Sequence, residues 1–220
     1  MHDLFAAGRW GWLAVAVVLI GAFAACATEA GARQGGAQAS RGGGAGPGGS
    51  TAQPWQVTPS GALARPLMPD PSLEPPANQV PVLITFGQGV QRYVCKEKAQ
   101  AKGTFEWTLK EPQAKLSNTE GREIGSHSAG PSWQLADGSK AVKKKLLATV
   151  PALASDAVPW LLVELESTGK GALGGTQYVQ RVDTVGGAAP ASGCDAAHAG
   201  ATQDVDYRAT YVFYAPRKAS

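Results

Sequence analysis

The chain is poor in the residues that usually bind metals or move protons. Its 220 residues include three histidines and three cysteines, with no C-x-x-C pair and no histidine cluster. A stable zinc site needs three or four ordered ligands, so neither a metal centre nor another cofactor is expected. A net charge of +3 falls well short of the basic footprint of a nucleic-acid binder, and no nucleic-acid partner is expected. Sustained helical periodicity with caps is missing throughout. Two literal G-x-G-x-x-G matches, at Gly44–Gly49 and Gly169–Gly174, lack the strand before and helix after that a dinucleotide fold requires. No Rossmann domain is indicated.

What is present begins with an export signal over residues 1–26. Arg9 opens a short, weakly positive start, and Leu13 to Ala27 is an apolar run of 15 residues ending in small side chains. That run is shorter than the ~20 residues needed to cross a bilayer as a helix, so cleavage is expected rather than retention. "FAAC", Phe23 to Cys26, has the form of a bacterial lipobox with Phe where Leu is usual. Lipidation of Cys26 would tether the protein to a membrane face. Ordinary signal-peptidase cleavage near Ala24 to Ala27 is the alternative. With Cys26 assigned to lipid, Cys95 and Cys194 form a natural pair in an oxidising compartment. The expected location is the bacterial periplasm or the outer membrane, with secretion as a further possibility.

Residues 27–74 are rich in Gly, Ala, Ser and Pro with few apolar anchors. Such a segment cannot offset its ordering entropy by burial and reads as a flexible tether. Residues 75–216 form one domain, followed by a short tail, 217–220. Its segments are short, rich in Val, Thr, Tyr and Trp, and punctuated by Gly and Pro. Strands are expected at "VPVLITF", "VQRYVCK", "FEWTLK", "SWQLA", "AVKKKLLATV", "PWLLVELES", "TQYVQRVDT" and "DYRATYVFYA". In the last, Tyr207, Ala209, Tyr211 and Phe213 point one way and Arg208, Thr210 and Tyr214 the other. The fold class is therefore all-β, a single β-sandwich or barrel-like domain.

"GVQRYVCK", "FEWTLKEPQAKLSNTEGREIGSHSAGPSWQLADGSKAV", "VPWLLVELESTGKGALGGTQYVQRVDTVGGAAP", "SGC" and "VDYRATYVFYA" occur in the order seen in the domain of unknown function 3455 family. The domain resembles that family from about Gln79 to Tyr214. The resemblance implies a secreted or lipoprotein-like protein and carries no established activity. It also implies an aromatic residue where Ser128 stands, and a less basic segment at Lys143–Lys145.

"GSHSAGPSW", Gly125 to Trp133, holds the histidine that matters most. "SHSAG" is a near miss for G-x-S-x-G, but that elbow works only where a strand turns into a helix, and a strand should follow here. Ser128, His127 and a distant Asp137 or Asp156 have nothing to position them as a triad. Cys194, Asp195 and His198 are close in sequence but too few for a metal. Glu164 and Glu166 share one strand face opposite Leu161, Val163 and Leu165, the pattern of a solvated sheet surface. Trp133 is a candidate ligand platform beside His127, whereas Trp160 reads as core. Lys140, Lys143, Lys144 and Lys145 suit protection of a strand edge, and Asp137-Gly138 suits a hairpin turn.

The expected function is thus binding rather than catalysis, in an exported, envelope-associated module with an unknown ligand or envelope component as partner. The alternative is a hydrolase acting on an envelope or extracellular polymer. It would use His127 as general base, with Asp137 or Asp183 as its partner.

Overall fold

A computed structural model describes residues 68–218 and, on its own, Leu63. The export signal, Cys26 and all but the C-terminal end of the tether lie outside the described residues. Eight strands follow one another: β1 (Gln79–Lys98), β2 (Ala101–Ser117), β3 (Glu123–Ser128), β4 (Ser132–Leu135), β5 (Lys140–Val150), β6 (Trp160–Thr168), β7 (Tyr178–Gly186) and β8 (Thr202–Pro216). Each pairs antiparallel with the next, and β8 returns to β1 to close a barrel. The all-β expectation holds, and closure decides between sandwich and barrel.

Eight strands were expected and eight are present, but two differ from the expectation. "VPVLITF" and "VQRYVCK" are one continuous strand, β1. The intervening glycines are there for close packing, not for a turn: a Cβ on Gly87 would meet Tyr211 Cε2 at 2.7 Å. Residues Glu123–Ser128, whose end reads as a turn, form β3.

The alternation in β8 sets the interior. Tyr207, Ala209, Tyr211 and Phe213 pack with Trp133, Leu165 and Val179 inside the barrel. The opposite face of β8 is not solvated as simple alternation would suggest. Tyr214 and Val212 are fully buried with Ile84, against which Leu63 packs. Next to them Leu73, from the 3-10 turn Pro71–Leu73, covers Trp160, Leu162 and Val182. Gln180 locks this outer layer by donating to Leu73 O at 2.7 Å and accepting from the Tyr214 hydroxyl at 2.5 Å. Burial on both faces explains the unbroken apolar runs Trp160–Val163 in β6 and Tyr211–Ala215 in β8.

Cys95 and Cys194 are joined by a disulfide. It fastens the β7–β8 connection, 187–201, onto the β1–β2 hairpin. Trp107 Nε1 adds a bond to Ser192 O at 2.8 Å, and Cys95 exchanges backbone bonds with Gly200 and Ala201. A crosslink spanning 99 positions contributes roughly 4 to 5 kcal/mol by chain entropy.

The wall is uneven because β3 and β4 are short. β2 pairs with β3 only over Ala114–Ser117, and β5 pairs with β4 only over Lys140–Gln134, Ala141–Trp133 and Val142–Ser132. Past the β3–β4 turn, residues 101–113 of β2 and 143–150 of β5 have no described strand between them. The barrel therefore carries a notch on that side.

Candidate functional site

His127 lies on β3, opposite Ala114 of β2 and Trp133 of β4. Alternation turns its ring inward, where it is 3% exposed. The imidazole stacks on Trp133 with centroids 4.5 Å apart and planes 12° apart, and Tyr211 tilts against it at 5.1 Å. Nδ1 lies 2.8 Å from Ser132 O. A carbonyl only accepts, so Nδ1 carries the proton. Burial pushes the imidazole down to about 3, against a weaker upward pull from the Ser132 bond; it is neutral at ordinary pH.

The turn beyond it is tied by its serines. Ser132 Oγ donates to Ala129 O at 3.0 Å and lies 3.1 Å from Ser128 Oγ. The small Ser128, where the family resemblance implied a ring, thus has a hydrogen-bonding task in the turn. Trp133 is 3% exposed, so it faces the interior rather than presenting an open platform.

No described hydrogen bond joins His127 to the carboxylates considered with it. Asp137 sits in the β4–β5 turn, accepting from Ser139 N, Ser139 Oγ and Ala172 N; these bonds hold its carboxyl below the usual range, the Ser139 hydroxyl most of all. Gly138 beside it has φ +83°, the conformation such a hairpin turn needs. Asp183 occupies a register break in β7 with φ 48°, a conformation that costs a non-glycine residue energy. Its Oδ2 is buried without a partner, and burial raises its pKa. Asp156 is exposed in the β5–β6 loop.

The remaining candidates are mostly surface features. Glu164 pairs with Lys144 at 2.6 Å and Glu166 is exposed, while Leu161, Val163 and Leu165 belong to the interior. Asp195 caps the 3-10 turn Ala196–His198 and bonds to His198 Nδ1 at 2.7 Å. Among the described residues no group of three His, Cys, Asp or Glu could hold a metal ion.

One interior group was not foreseen. Arg181 of β7 is in register with Leu161 on one side and Tyr211 on the other. Both neighbours belong to or pack on the interior cluster, so the guanidinium also faces inward. It donates twice to Pro159 O, at 3.1 and 2.9 Å, and has no carboxylate partner among the described residues. Around it stand tyrosines: the Tyr207 and Tyr211 hydroxyls are 3.2 Å apart, and Tyr93 donates to Gly187 O at 2.6 Å. Burial raises all three phenols, and Arg181 pulls each part of the way back. "TQYVQRVDT" hides this arginine, because Val179 and Val182 lie on opposite faces and either parity looks reasonable.

A shallow groove of about 540 Å³ opens beside His127, Ala114 and Gly89, with Lys115 and Ser128 at its margin. A second concavity, about 420 Å³, lies across Gly89 between β1, β7 and β8 and includes Asp206 and Arg208.

The model described as "Protein of unknown function (DUF3455)" matches residues 75–215. The chain belongs to that family. No curated protein and no solved structure matches it. For the DUF3455 domain, then, function must be argued from this barrel's own chemistry.

Proposed function

We propose that this DUF3455 protein is an exported, envelope-associated binding module rather than a hydrolase. The observation that carries this reading is the environment of His127. A general base must reach the proton that it abstracts, whereas this imidazole is enclosed between Trp133 and Tyr211 with Nδ1 committed to a backbone carbonyl. Asp137 and Asp183 serve a turn and a strand irregularity. By contrast the barrel interior carries a cation, several hydroxyls and aromatic rings, the combination of an apolar site with a few polar groups that holds small ligands.

The test is a screen of the processed protein against ester, glycan and peptide substrates beside a His127→Ala variant. No turnover by either protein is expected. Turnover by the parent that vanishes in the variant would overturn the proposal. Tethering through Cys26 has its own test: Cys26→Ser should abolish membrane partitioning, and a variant that stays with the membrane would refute lipidation.

A further inference from the structure

The notch exposes side chains that a complete wall would enclose. Leu109 of β2 is in register with Tyr93 and Leu146 of β5 with Val163, so both leucines share the inward parity of those residues. They are nevertheless 44% and 46% exposed, because no described strand runs between β2 and β5 there. Lys143, in register with the interior Leu165, adds an exposed inward-parity cation at the base of the notch. In the cyclic strand order β7 lies opposite the β3–β4 hairpin. Arg181 therefore stands on the wall facing the notch, and it is partly accessible.

We propose that the notch admits an anionic amphiphile, with its head group on Arg181 and its apolar chain between Leu109 and Leu146. The inference rests on the binding-module reading and names the ligand class for it. Three observations select that class. Arg181 spends two bonds on one carbonyl, reaches the Tyr211 hydroxyl and keeps further N–H donors, and among the described residues neither it nor Lys143 has a carboxylate partner. A fully buried polar group lies on the same inner face: Thr85 Oγ1, in register with Tyr211, has no hydrogen-bond partner among the described residues. Inward, solvent-exposed leucines at the rims then supply a surface for a hydrocarbon chain. A neutral sugar would leave the guanidinium without a counter-charge, and a compact inorganic anion would leave the leucines in water.

The experiment compares dodecanoate, dodecanol and acetate, at concentrations below micelle formation, by calorimetric titration of the processed protein. One equivalent of dodecanoate is expected to bind, with dodecanol and acetate each weaker by at least about tenfold, since a charge-assisted hydrogen bond is lost in one and the apolar contact in the other. Arg181→Met should bring dodecanoate down to the level of dodecanol, and Arg181→Lys should recover part of the difference. Leu146→Glu changes an exposed side chain and should weaken dodecanoate by at least about tenfold with an unchanged circular dichroism spectrum, so the proposal stays testable if Arg181→Met does not fold. Absence of dodecanoate binding, or dodecanol binding as tightly, overturns the anionic site. Neither result touches the broader reading, which falls only to His127-dependent turnover.

Discussion

The imidazole of His127 lies parallel to the indole of Trp133, 4.5 Å away and inclined by 12°. The two residues are cross-strand partners on β3 and β4, so a short hairpin of the barrel is held by a ring pair on its inner face. That relationship makes His127 a strut of the fold, and it has a consequence for pH.

In the unfolded chain this histidine takes up a proton near its ordinary value of 6.5, but in the folded barrel only at about 3. Between those values the unfolded state binds more protons, so stability is full above about pH 6.5 and declines as pH falls toward 3, on the order of 1.4 kcal/mol per unit. His127→Phe, which keeps a ring on Trp133 but cannot titrate, should flatten that window in urea denaturation series. It should also cost about 1–2 kcal/mol at neutral pH, because Ser132 O loses its donor. An unchanged pH profile would contradict the buried, neutral imidazole.

Gly87 gives a sharper steric test. A Cβ there meets the Tyr211 ring at 2.7 Å, so Gly87→Val should destabilise by about 1–3 kcal/mol through overpacking. Thermal melting would show it, and a neutral substitution would mean that the ring has room to move.

Cys95→Ser paired with Cys194→Ser removes the crosslink between β1 and the β7–β8 connection. The expected loss is about 2–5 kcal/mol, measured by denaturant midpoint. Mass determination of the parent without reductant should find no free thiol at either position; two free thiols would refute the bond.

Asp183 keeps a partnerless, buried carboxylate oxygen at a left-handed backbone position. Its raised pKa means that the charged form is disfavoured in the fold, so its cost appears as pH rises above the unfolded value of 3.8. Asp183→Asn should therefore raise the melting temperature at neutral pH and leave it little changed in acid. The opposite ordering would show that the charge has a partner in solution.

Much of the scaffold was readable from local patterns. The period of two in "DYRATYVFYA" put Tyr207, Tyr211 and Phe213 on one face, and they line the interior. Glu164 and Glu166 read as outward and are so, and the Asp137-Gly138 turn was evident from its residue chemistry. Tyr214 was harder: its parity was clear, but its burial depends on Leu63, Ile84 and Gln180, which are far away in the chain. The unbroken β1 was missed because glycine is a turn residue in isolation and a close-packing residue beside Tyr211.

By itself the sequence determined most of the strands, the facing of β8 and the cysteine pair, because strand alternation and turn preference are local properties of neighbouring residues. Only the tertiary structure decided that the sheet closes, that the closure leaves a notch beside a short hairpin, and that Arg181 looks into it. Those facts depend on register between strands distant in sequence, and a shift of one residue would have turned that guanidinium to the outer face, beneath Leu73.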